Sequence, residues 1–227
     1  MELTKTRRFC VWSFQQDPVS VLRCAGVVVL PYIDQSDEAL AALTPLVRHL
    51  QHAYDVDDDS FNNVDFEDWG IVRLPRIGNG KHNIHFDGYN SPQHLALARM
   101  AKEAGIDSLL STYQGKDTQL RETGLSMTCP SNGVQHGEGM ELHSDGPRGE
   151  NTVLMSFEDV SAEMGALRTV PGSHAAYIDG LGHGLIDPNL PCQALCYKAR
   201  CPVVIDGESL LKEKTLFSVL DNTRTYK

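Results

Sequence analysis

The chain has 227 residues, 41% hydrophobic and 22% charged, with a formal charge of −10. That length buries one sizeable core without disulfide staples. So acidic a balance excludes phosphate-backbone binding, which needs a basic patch, and the longest apolar run, "AGVVVLPYI" at 25–33, is too short to span a bilayer. Neither nucleic acid nor a membrane is therefore expected as a partner.

The first residues, "MELTKTRRFCVWSFQQ", lack the apolar core of a secretory signal, so a cytoplasmic location is expected. Without an export signal the six cysteines read as free thiols. "CQALCYKARC" has no second knuckle of the kind that structural zinc sites use, so Cys192, Cys196 and Cys201 read as a strand and its flanks.

In chain order, "AGVVVLPYI" predicts a buried strand closed by a proline. Ser36 can cap a following helix whose apolar face is Leu40, Leu43, Leu46, Val47 and Leu50. The acidic run "DVDDDSFNNVDFEDW" has Ser60 and Phe66 where a calcium loop wants glycine and glutamate, and reads as a solvated loop. Ser91, Pro92 and Gly105 bracket a second helix over "HLALARMAKEA". Beyond about residue 120, short apolar stretches ("GLSMT", "NTVLMSF", "GALRTV", "CPVVI", "TLFSVL") alternate with turn-rich segments. That texture predicts a β sandwich or barrel. No linker or repeat divides the chain, so one domain over 1–227 is expected, helical to about 120 and β from about 121.

Two His-x-Asp pairs stand out. In "KHNIHFDGY", His85 and Asp87 share a face if the segment is a strand, with His82 three residues before His85. They can address an ion, line a pocket with Asn83, or sit at a surface turn. His143 and Asp145 follow the glycine-rich "SNGVQHGEGMEL" and precede "NTVLMSF". An imidazole and a carboxylate on one strand edge supply two adjacent coordination positions. A third ligand would complete the 2-His-1-carboxylate face of non-haem iron(II) oxygenases.

"LHSDG", followed by "VLMSFEDVSAEMGALRTVPGSH", resembles the phytanoyl-CoA dioxygenase family of iron(II)/2-oxoglutarate oxygenases. Gly165, Leu167, Pro171, Gly172, Ser173 and His174 match the family's Gly-x-Leu-x-x-x-Pro-Gly-Ser-His position by position. "CAGVVVLPYIDQSDEALAAL" is similar to its opening strand and helix, and "CPVVIDGESLL" and "LFSVLDNT" to its late strands. The resemblance implies a double-stranded β-helix (jelly-roll) core flanked by helices, an α+β chain of mainly β character. It also implies iron(II) held by His143, Asp145 and a distal histidine, with 2-oxoglutarate chelating the metal. An arginine on the last strand would pair with the cosubstrate's far carboxylate, where a planar two-pronged donor fits. The implied reaction consumes O2 and oxidises a small organic substrate. Gln135, Glu141, Arg148 and Arg168 are candidates for the pocket wall, with Asn83 and His85 on the substrate side.

The distal part of the pattern breaks. Counting back from Asn222-Thr223 puts Phe217 at the third ligand position, and aligning on "VVIDGESLL" puts Leu211 there. No histidine occurs from 184 to 227. Arg224 is the nearest arginine to the expected cosubstrate anchor. Three explanations stay open. Another residue replaces the ligand, with His183 in "GLGHGLIDP" first and His174 second, although the family's own histidine at the latter position suggests that it holds the turn. Alternatively the domain is catalytically silent and acts by association, an open sheet edge offering a place for a homo- or hetero-oligomeric contact. Or the chain is an altered-ending version of an active enzyme.

Overall fold

A computed structural model of the protein describes residues 17–33, 37, 40–46, 48, 71–73, 81–86, 92–118, 124–128, 142–144, 149–156, 158–162, 166–176 and 190–212. Its first element is a helix, α1 (Pro18–Ala25), with both ends signed in sequence. The Asp17 carboxylate accepts from the amides of Val19 and Ser20 at 3.3 and 3.0 Å. The Ser20 hydroxyl bonds it at 2.7 Å, and these bonds, Ser20's first, hold its pKa below the ordinary carboxylate value. Pro18 fills the first turn, where no amide donor is missed. Gly26 ends the helix at φ 74°, its amide donating to Leu22 O at 2.8 Å.

The expected first strand is β1 (Val27–Val29), shorter than "AGVVVLPYI" because α1 and Gly26 take its beginning. Residues 40–46 are helical, as the leucine spacing predicts. β2 (Ile71–Arg73), β3 (Lys81–Phe86) and β4 (Gly124–Thr128) form one antiparallel sheet in that order. α2 (Pro92–Glu103) fills the predicted second helix, and α3 (Ile106–Gln114) follows directly through Gly105 at φ 72°. The late strands are β5 (Asn151–Leu154), β6 (Arg168–Thr169), β7 (Gln193–Ala194), β8 (Val203–Asp206) and β9 (Leu211–Lys212). "TLFSVL" lies outside the described residues.

Two antiparallel three-stranded sheets carry the core: β1-β8-β5 and β7-β6-β9. The period of two sorts β8 by face. Val203 and Ile205 pack with Val27, Leu167, Leu195 and Leu211, residues contributed by both sheets. Val204 turns the other way, onto Val28, Leu22 of α1 and Ile106 of α3. The first sheet is thus covered by strands on one side and helices on the other, and all three β8 valine and isoleucine side chains are fully buried. Burial of each such side chain contributes about 1.5–3 kcal/mol. A third cluster joins Ile33 to Ala96 and Met100 of α2. The chain is an α+β protein with antiparallel sheets. Among the described residues no helix is long and apolar enough to cross a membrane. Cys24, Cys192, Cys196 and Cys201 are free thiols, in line with the sequence reading.

Candidate metal centre

His143 stands on the outer side of β9, in an isolated antiparallel bridge with Leu211. The His143 amide donates to Leu211 O at 3.0 Å and the Leu211 amide to His143 O at 2.7 Å. Residues exchanging both bonds lie directly opposite, and their side chains leave the sheet on the same face. On its other edge Leu211 faces Thr169 of β6. His143, Leu211 and Thr169 therefore form one row across the sheet, on the face that carries Leu167 and the shared core. His143 is half-buried, and Leu211 is 1% exposed.

The register of that row is fixed by the turn between β8 and β9. The Ser209 amide donates to Asp206 O at 2.9 Å, and the Gly207 amide to Glu150 O at 2.9 Å. The Glu208 amide bonds the Asp206 carboxylate at 2.8 Å. Leu210 is held from both sides: its amide donates to Ser173 Oγ at 2.7 Å, and its carbonyl accepts from the Thr169 hydroxyl and the Val170 amide, each at 3.1 Å. The Tyr113 hydroxyl of α3 reaches across to the Asp206 carboxylate at 2.6 Å. Burial, then this bond to a carboxylate, pushes the Tyr113 pKa well up.

The Pro-Gly-Ser-His turn works as a clasp. Gly172 at φ 80° donates its amide to Ala25 O at 2.8 Å, and Ser173 begins a 3-10 turn over Ser173–Ala176. His174 Nε2 lies 3.0 Å from Arg23 O, a bond in which the ring N–H is the donor. Its Nδ1 is buried against Gly26, where a Cβ would come within 2.6 Å. His174, the second stand-in for the distal ligand, thus joins the turn to α1 through Nε2, while Nδ1 lies against Gly26 with no hydrogen-bond partner among the described residues.

Arg168 is a second correction. It pairs with Ala194 and Lys212, whereas its neighbours Leu167 and Thr169 face the core. Strand alternation sends Arg168 to the face opposite His143, where its guanidinium donates to Cys192 O at 3.3 Å. It does not wall a pocket around His143. Asn83 and His85 lie on β3, in register with Ser126 of β4 and with Val72 of β2 respectively, so of the alternatives left open for this segment the structure shows a strand over Lys81–Phe86. Asp145, His183, Arg224, Asp87, Gln135, Glu141, Arg148 and Phe217 lie outside the described residues.

An iron(II) site of the expected kind needs three protein donors on one side of the ion. Among the described residues no three His, Cys, Asp or Glu side chains come together in that way. The residue across the ladder from His143 is apolar. Of the expected ligand set, His143 alone is among the described residues, while Asp145 and His183 lie outside them. What sequence reasoning missed is the Tyr113–Asp206 bond, for which no local signal exists because α3 and β8 are distant in the chain.

No protein-family profile matches the chain, and no curated protein matches it in sequence. Its fold is nevertheless shared with solved structures. AviO1 from Streptomyces viridochromogenes Tue57 superposes with a TM-score of 0.61 at 15% identity, over 89% of this chain and 88% of that one. The epimerase SnoN in complex with Fe3+, alpha ketoglutarate and nogalamycin RO gives 0.57 at 15% identity, over 87% and 76%. EctD from S. alaskensis with 2-oxoglutarate and 5-hydroxyectoine gives 0.57 at 16% identity, over 91% and 74%.

Proposed function

We propose that this chain is a single-domain, jelly-roll protein of the non-haem iron(II)/2-oxoglutarate oxygenase kind, akin to the phytanoyl-CoA dioxygenases. His143 and Asp145 form its metal-binding pair. The reaction class is hydroxylation or a related oxidation of a small organic substrate, with O2 consumed and 2-oxoglutarate decarboxylated to succinate. The observation that carries this reading is the His143 row. The histidine singled out by motif lies in register on a sheet edge, facing a shared core, in a fold like that of SnoN and EctD.

Anaerobic iron(II) titration of the protein and its His143→Ala variant tests the pair. Weaker binding by the variant is expected, and equal binding sinks the claim. Succinate formation from 2-oxoglutarate by the natural chain then tests turnover.

A second reading rests on Leu211. A fully buried leucine opposite His143 favours a chain that keeps the oxygenase fold without turnover and acts by association. Intact folding with no succinate formed supports that reading over the first.

A further inference from the structure

The proposed metal pair has a definite geometric complement. Directly opposed residues of a hydrogen-bonded antiparallel pair have Cα atoms about 5.5 Å apart and side chains on one face. Two imidazoles so placed reach a common ion at the usual metal–nitrogen distance of about 2.0–2.1 Å. The residue that meets this condition relative to His143 is Leu211. The bonds at Asp206, Ser209 and Leu210 prevent the strand from sliding to present a neighbour instead. Lys212, one residue on, pairs with Arg168 on the opposite face. Of the two registers that the sequence offers, the one on "VVIDGESLL" arrives at the same residue, and the other arrives at Phe217, outside the described residues. Leu211 carries no donor atom, and its side chain is packed into the core with Val27, Leu167, Leu195, Val203 and Ile205.

We propose that Leu211 occupies the third protein coordination position of the His143–Asp145 centre. The protein then supplies two ligands where three would close one face of the ion, and binds a divalent metal weakly. The inference rests on the proposed metal pair. It assigns the weakness to one residue and predicts that a single substitution completes the centre.

The test is Co(II) titration of the full chain, a visible and oxygen-tolerant stand-in for iron(II), with His143→Ala, Leu211→His, Leu211→Cys and the double variant Leu211→His/His143→Ala. Leu211→His should tighten Co(II) binding by about tenfold or more, and the gain should vanish in the double variant. Leu211→Cys, closer to leucine in size, should give a thiolate-to-cobalt charge-transfer band that also requires His143. If the buried histidine unfolds the apoprotein, metal-dependent recovery of the thermal transition replaces affinity as the readout. Equal Co(II) binding by the natural chain and His143→Ala overturns the metal pair and this inference together. A difference there, with neither Leu211 variant changing affinity or spectrum, overturns the inference alone. Tight binding by the natural chain that is lost in His183→Ala also overturns it, because the third ligand then comes from the "GLGHGLIDP" segment.

Discussion

Gly26 shows how much a single position can carry. At φ 74° it sits in left-handed backbone that an L side chain adopts only under strain. A Cβ there would meet Ser209 Oγ at 2.3 Å and His174 Nδ1 at 2.6 Å. Its carbonyl accepts from the Ser209 hydroxyl and from the Asp206 amide, at 2.9 and 2.8 Å. Gly26→Ala should therefore destabilise the protein by more than the roughly 1 kcal/mol of backbone strain alone, measured by urea denaturation. Ser209→Ala/Gly26→Ala should recover part of that loss, because one of the two clashing atoms is gone. Tyr113 makes the complementary case for a hydrogen bond. Its hydroxyl is bound to a buried carboxylate, and burial and that bond both raise its pKa above the ordinary 10.0. Burial also pushes the Tyr197 hydroxyl up to about 12. A raised folded-state pKa means that the folded protein holds its proton where the unfolded chain has released it. The stabilisation is thus complete below about pH 10 and is lost as pH rises above it. Tyr113→Phe should flatten that alkaline loss, Tyr197 retaining its own share, and should lower stability at neutral pH by about 1.5–3 kcal/mol by removing a bond to a charged group.

Among the elements, those with local punctuation were readable in advance. "GLSMT" bounds β4 to the residue, and Pro92 and Gly105 frame α2. Asp17, Pro18 and Gly26 mark both ends of α1, but eight residues are too few for apolar periodicity to stand out beside the valine run that follows. α3 was hidden by Gly105, which ends one helix and admits the next. In the site, His143 was found by motif, but the identity of its neighbour was not a local matter. Strand pairing between residues this far apart is set by the turns and side-chain bonds that fix register. The face of Arg168, by contrast, follows from the alternation Leu167-Arg168-Thr169 once the strand is granted. The register argument has its own consequence at Ser173. Its hydroxyl is the acceptor for the buried Leu210 amide, and among the described residues no other acceptor is paired with that amide. Ser173→Ala should cost about 1–3 kcal/mol and should speed amide exchange at Leu210 and Leu211 more than in β1.

At the scale of the molecule, the two core sheets and the helices behind them share β8, whose alternate side chains enter two different clusters. Leu22 of α1 is fully buried on the helical side, and Leu211 on the strand side, next to His143. The clasp at Gly26, His174 and Ser209 ties the end of α1 to the turn that sets the register of Leu211. Helix, core sheets and candidate site should then unfold as one cooperative unit. Leu22→Ala and Leu211→Ala should each cost about 2–5 kcal/mol without changing the denaturant slope. Their effects should add in the double variant, because the two leucines sit in separate clusters that share no partner among the described residues. The check is urea denaturation followed by circular dichroism, alongside hydrogen exchange at α1 and β9. A separate early transition of α1 in Leu22→Ala, with β9 exchange unchanged, would show that the helix is an appendage and that the register of His143 and Leu211 is maintained without it. A single shifted transition, with exchange accelerated equally in both elements, would mean that any substitution destabilising α1 also loosens the sheet edge on which His143 stands.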